Sequence, residues 1–169
     1  PTAVATLGDA LYLLDSGAGQ IVRVSLANSS GGAKPWTTDA AAAELRTAVD
    51  MTSDGQTLWV LLADGRVRGF VGGAPAQLIA PGALPPLTAA TAVASSPVSP
   101  YVYVADGAQG RILRIRKADG KIVQVLRAAD GAPSIAPMQS LTVDEAHGTL
   151  SYVTADGIVT VPLPAVNGI

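Results

Sequence analysis

Tyr101-Val-Tyr-Val-Ala-Asp-Gly-Ala-Gln-Gly-Arg-Ile-Leu-Arg-Ile-Arg116 decides how this chain is read. β-Branched and aromatic residues alternate on either side of a Gly-rich turn, the pattern of two antiparallel strands joined by a hairpin. The pattern returns three more times, as LYLLDSGAGQIVRVSL from Leu11, LWVLLADGRVRGF from Leu58 and LSYVTADGIVTV from Leu150. The turn aspartates Asp15, Asp64, Asp106 and Asp156 lie 49, 42 and 50 residues apart.

A further strand precedes each hairpin, at Ala3–Leu7, Ala48–Thr52, Ala90–Ser95 and Ser140–Val143. A fourth follows in three repeats: clearest at Lys121–Leu126, fainter at Gln77–Ile79 and Lys34–Thr37. Four strands in ~40–50 residues make one propeller blade. The predicted fold is therefore all-β: a β-propeller of four consecutive four-stranded blades, either a small ring or an arc of a larger one. One domain is expected over 1–169, with repeats at about 3–37, 48–79, 90–127 and 140–163. The first strands are rich in small residues such as Ala3, Ala5, Ala48, Ala92 and Ala94, as crowding near a propeller axis requires. Repeats one and three share a longer turn, repeats two and four a tight Ala-Asp-Gly turn, so a pair of blades reads as the duplicated unit.

Val104-Ala-Asp-Gly-Ala-Gln-Gly-Arg-Ile112 resembles the NHL-type blade signature, and Thr52-Ser-Asp-Gly-Gln-Thr-Leu-Trp-Val60 resembles the hairpin of YVTN-type propellers. The resemblance covers nearly the whole chain. It implies a propeller used for binding and carries over no catalytic residue. The asparagine common in the NHL signature is missing, with Gln109 or Gly19 nearby instead.

Composition narrows the function classes. Apolar residues make up 49% against 14% charged, which excludes disorder. The formal charge is −2 with arginines scattered, so no nucleic-acid footprint is expected. Apolar runs such as Leu58–Ala63 fall far short of the ~20 residues that span a bilayer, so no membrane insertion is expected. Without cysteine there is no disulfide, thiolate nucleophile or Cys-based zinc site. The opening on strand-like sequence at Pro1 is read as that of a processed or excised domain, and the expected location is extracytoplasmic or secreted.

The four turn aspartates suggest either a carboxylate array or turn capping; their shared place before Gly favours capping. His147, the one histidine, is expected at an exposed hairpin end. Asn28-Ser-Ser30 fits a glycosylation sequon. Arg23, Arg68 and Arg114, with Thr160, read as one equivalent position on third strands, their stems laid over apolar neighbours rather than binding an anion. No catalytic residue, metal site or cofactor is predicted.

If a site exists, propeller geometry puts it on the face formed by the long loops Thr37–Thr47, Ala80–Ala89 and Ala128–Gln139. The first is expected to hold a short helix capped by Thr38 or Asp39. Trp36, Asp39, Arg46 and Asp130 are the binding candidates, and the Pro-rich character of the other loops suits a rigid protein-binding surface. The expected function is a non-catalytic module that binds a protein partner or small ligand through its loop face, as part of a larger bacterial envelope or signalling protein. One alternative is a calcium-dependent lactonase-like propeller, against which stands the scarcity of acids: Glu44 and Glu145 are the two glutamates, and the inner strands offer just Asp50. The other is a structural segment that self-associates through open blade edges, two copies forming a homodimer of eight blades. Pro164 makes the tail a poor outer strand for the last blade.

Overall fold

Each repeat folds into one antiparallel meander, seen in a computed structural model that describes residues 1–27, 31–82, 85–97, 99–130 and 134–166. The first blade holds β1 (Ala3–Leu7), β2 (Ala10–Asp15), β3 (Gln20–Ser25) and β4 (Ala33–Pro35). A 3-10 turn at Asp39–Ala41 and the helix α1 (Ala42–Leu45) lead to β5 (Ala48–Ser53), β6 (Leu58–Leu62), β7 (Val67–Val71) and β8 (Ala74–Ile79). The third blade is β9 (Ala90–Ala94), β10 (Tyr101–Asp106), β11 (Arg111–Arg116) and β12 (Ile122–Arg127). The fourth has three strands among the described residues, β13 (Ser140–Asp144), β14 (Thr149–Thr154) and β15 (Gly157–Pro162). Strand order in every sheet follows the sequence, so β1, β5, β9 and β13 come first in their blades. They also lie side by side, β1 next to β5, β5 to β9 and β9 to β13. The sheets therefore radiate from a shared centre: a four-blade β-propeller.

Alternation within each strand gives every blade two packing faces, a leading face toward the preceding blade and a trailing face toward the next. Tyr12 and Leu14 trail the first blade and meet Leu58, Val60 and Phe70, which lead the second. Trp59 and Leu61 trail the second and meet Val102, Val104 and Leu113. Tyr103, Ala105 and Ile112 trail the third and meet Leu141, Leu150 and Tyr152. Burying such side chains stabilises each seam by roughly 1.5–3 kcal/mol per large residue.

The seam between the fourth and first blades is different. Among the described residues no buried cluster bridges it. The leading face of the first blade presents Leu11, Leu13, Val22 and Val24 half-buried, with Val4 51% exposed. Cross-strand pairing of Val4 with Leu13, and of Leu11 with Val24, makes this one continuous surface.

Two local expectations are corrected. The short helix forms within Thr37–Thr47, but no side chain caps it: Thr38 is extended (φ −82°, ψ 158°) and makes no capping hydrogen bond. Nor does Arg68 share the position of Arg23 and Arg114. Those two face Tyr12 and Tyr103 on trailing faces, whereas Arg68 faces Val60 on a leading face, and Gly69 stands opposite Trp59. The tight second-blade turn shifts β7 by one residue, and in a strand one residue reverses the face. A Cβ at Gly69 would press on the Trp59 ring at 3.1 Å.

Candidate functional site

The long loops and the second-to-third-strand turns share one end of the propeller, and in the first two blades the turn packs closely on the loop that follows. A Cβ at Gly19 would lie 2.5 Å from the Ala42 carbonyl oxygen, and one at Gly65 would lie 2.6 Å from Leu87. At Gly110 there is more room: a Cβ would lie 3.9 Å from Ala136. At Gly19 the backbone also needs φ +72°, which glycine adopts without a steric penalty.

On this end Asp39, Arg46 and Asp130 are exposed and make no ion pair among the described residues. Asp39 and Arg46 flank α1 on one loop; Asp130 belongs to the loop two blades on. No hydrogen bond joins any two of the three. Trp36 lies elsewhere: it is half-buried in the seam between the first and second blades, edge-on to Tyr12 at 4.8 Å and 72°. The sequon at Asn28 lies outside the described residues.

The turn aspartates do not converge. Asp15 accepts the Ala18 N–H at 3.0 Å and Asp64 the Arg66 N–H at 3.1 Å, both capping their own turns. Asp106 does not cap: its carboxylate is fully buried and takes the Arg111 guanidinium at 2.9 Å. Arg111 also donates to the Pro85 carbonyl, tying the third blade to the loop before it. His147 sits on an exposed turn, its Nδ1 2.7 Å from Asp144. No group of three or more acidic or histidine side chains gathers to hold a metal among the described residues.

At the opposite end, ion pairs bolt blades together. Lys117 from the third blade reaches Asp54 of the second at 2.7 Å and lies over the Trp59 ring, whose Nε1 donates to the same carboxylate at 2.7 Å. Burial opposes ionisation of Asp54, but Lys117, Trp59 and the Thr57 and Gln56 amides together outweigh it and hold its pKa below the usual range. Arg114 pairs with Glu145 of the fourth blade through two 2.9 Å hydrogen bonds. Back on the loop-face end, Arg68 grips Glu44 at 2.8 and 3.0 Å, fixing α1 to the second blade. Arg23, Arg68 and Arg114 each pair with a carboxylate of the fold.

Among the described residues, the central cavity is lined by one carboxylate, Asp50. β5 bulges between Ala48 and Asp50, and Asp50 accepts the Val93 N–H of the next blade at 2.8 Å. Beside it lies a narrow cavity of about 210 Å³ to which all four inner strands contribute, through Val4, residues 50–52, 93–95 and 140–143. Burial raises the Asp50 pKa, partly offset by the Val93 and Met51 amides. A raised native pKa means stability present below the unfolded value and lost as pH climbs through the native one. Asp50→Asn keeps an acceptor for Val93 without the charge. It is expected to melt higher than the parent at pH 7, the difference shrinking toward pH 4. Equal melting temperatures at pH 7 would contradict the desolvated carboxylate.

No protein-family model matches the sequence, and no curated protein matches it. Solved structures do. The chain is similar to the computationally designed Ika4 protein, with 17% identity, 96% of this chain and 91% of that one covered and a TM-score of 0.61. It is similar to Myxococcus xanthus glutaminyl cyclase, with 13% identity, 89% and 66% covered and a TM-score of 0.62. A third likeness is to the β-propeller domain of Myceliophteria thermophila Cps50 (Swd1), with 12% identity, 96% and 52% covered and a TM-score of 0.64. The chain thus spans nearly all of Ika4, about two thirds of the cyclase and about half of the Cps50 domain. At these identities the likeness establishes the fold alone.

Proposed function

We propose that this chain is a non-catalytic β-propeller module that binds a protein or small ligand through its loop face, within a larger bacterial envelope or signalling protein outside the cytoplasm. The observation that carries this reading is the close packing of the first two turns on the loops that follow them. Contacts at Gly19 and Gly65 hold Ala42 and Leu87 in place, and such preorganisation lowers the ordering cost of association. On the loop face Asp39, Arg46 and Asp130 offer charges that the fold leaves to solvent. Selecting a random displayed peptide library on the immobilised chain tests this. Enriched peptides are expected to lose binding to the Asp39→Ala/Arg46→Ala protein; equal binding, or no enrichment, would refute the loop-face reading. Calcium should leave the melting temperature unchanged at millimolar concentration, because a specific native-state site would raise it. A rise would favour the lactonase-like alternative.

A second reading is favoured by the apolar leading face of the first blade. Every packed seam joins a trailing face to a leading one, and the free trailing face, on the fourth blade, carries Val153, Ile158 and the hydrogen-bonded Ser151–Thr160 pair. Two copies placed head to tail satisfy both free faces by the rule that builds the other seams, closing a homodimer of eight blades. Sedimentation velocity over a concentration series is expected to show a monomer–dimer equilibrium that Val22→Glu abolishes. A concentration-independent monomer would eliminate it.

A further inference from the structure

We propose that the outer half of the first blade holds a site for a small organic carboxylate, gripped between Arg23 and Lys34 beside Trp36. Lys34 stands directly opposite Arg23 in the β3–β4 pair, so both side chains leave the trailing face together. A cavity of about 380 Å³ opens there, lined by Arg23, Ser25, Gly32, Lys34, Pro35 and Trp36. That volume falls within the range of small-molecule sites.

The fold does not balance this charge. Among the described residues Arg23 has one ion-pair partner, Asp9 at 3.2 Å and 70% exposed, and the exposed Lys34 has none. Like charges directly opposite on one face destabilise a sheet, and an anion between them removes that cost.

The third blade shows what completes such a position. There Arg114 faces Tyr103 as Arg23 faces Tyr12, but its outer neighbour is the neutral Gln124. Its guanidinium takes both oxygens of Glu145, one residue past the end of β13 on the next blade. The matching residue of the second blade is Asp54, one residue past the end of β5. Its carboxylate is already taken by Lys117 of the third blade and by the Trp59 indole, each at 2.7 Å. Among the described residues, the first seam thus keeps the arginine opposite its tyrosine, adds a second cation and lacks the carboxylate.

A carboxylate suits this gap because its two oxygens match the guanidinium fork. Pro35 and Trp36 offer apolar surface to the body of the ligand. Trp36 is fixed in place: its ring meets Tyr12, and Gly73 of the second blade abuts its carbonyl so closely that no Cβ would fit. None of these lining residues belongs to the long loops, so this site and the loop-face reading can fail separately.

Phenylacetate is the probe, followed through the amide and indole NMR signals of the chain. Saturable shifts are expected at the Gly32 and Lys34 amides and the Trp36 indole, while the Trp59 indole, held by Asp54, stays still. Phenylacetamide, with the same ring and no charge, should bind at least about tenfold more weakly, as should phenylacetate to Lys34→Gln. That variant copies Gln124 at an exposed position, so it should fold as the parent does. Arg46→Ala, on the loop face, should bind phenylacetate as the parent does. No saturation at millimolar phenylacetate, equal binding of the amide, or unchanged affinity in Lys34→Gln would each overturn the proposal. So would a loss in Arg46→Ala, or tighter binding of inorganic phosphate at the same signals.

Discussion

Replacing Arg114 by Met should lower stability by about 3 kcal/mol, or roughly 6–12 °C in Tm for a chain of this size. The Arg114 side chain is 5% exposed, and its guanidinium both grips Glu145 and lies over the rings of Tyr101 (4.5 Å) and Tyr103 (5.3 Å). Glu145 is 16% exposed and otherwise relies on the Ser99 and Tyr103 hydroxyls. Burial pushes the Tyr103 phenol well above its ordinary pKa, and the hydrogen bond to Glu145 pushes it further, so it stays a neutral donor. Without Arg114 a largely desolvated carboxylate is left with hydroxyl partners, which do not replace a paired cation. The control is Arg23→Met, at the matching position of the first blade. Its partner Asp9 lies at 3.2 Å, but the two side chains are 40% and 70% exposed, so the change should stay within about 1 kcal/mol. Urea midpoints for the two variants test this contrast. Similar losses would mean that burial does not set the worth of these pairs.

The second large effect falls on the opposite end of the same blade. Arg111→Met should lose about 3–5 kcal/mol, because Asp106 is fully buried and would lose its charged partner. Its other oxygen, Oδ1, already lacks a hydrogen-bond partner, so the carboxylate has no reserve. Arg111→Met combined with Asp106→Leu should recover most of the loss, since an apolar pair of similar volume satisfies a buried site as well as an ion pair does. Chemical denaturation of both variants at pH 7 measures this. A double variant no better than the single one would place the effect in the Pro85 contact instead.

These networks also show what the amino-acid sequence conceals. Strand positions were legible because alternation is local: β1, β5, β9 and β13 start where the small-residue runs start, and β12 follows the Asp119-Gly120 turn. That the long loops follow the outer strands was legible for the same reason, since turn and loop lengths repeat; the close packing of turn on loop at Gly19 and Gly65 was not. Side-chain partners were not. Arg114 and Glu145 are 31 residues apart and Asp50 and Val93 are 43 apart, so no local pattern links them. Asp106 occupies the same turn position as Asp15, yet the latter caps and the former is buried. The visible difference is Arg111 where the first blade has Gln20, a cation at the first residue of the third strand. Trp36 reads as a binding aromatic because it precedes a loop; that it is half-buried against Tyr12 in the first seam is a long-range contact no local pattern shows. Arg68 reads as equivalent to Arg23 until the tight turn of its hairpin is counted, one residue short.

All of this depends on four sheets radiating from one centre. Because the chain has no cysteine, Val4→Cys gives a unique site for a nitroxide on the innermost strand. Val4 shares the central cavity with Met51, Ala94 and Thr142, one from each of the other blades. Outer strands lie three strand spacings farther out, about 14 Å. Paramagnetic broadening of amide signals should therefore be strongest at these three inner positions, Thr142 included, and much weaker at Lys34, Leu78 and Val125. Broadening that fades along the chain from the first blade and leaves Thr142 sharp would mean a lengthwise stack, and the radial account would be wrong.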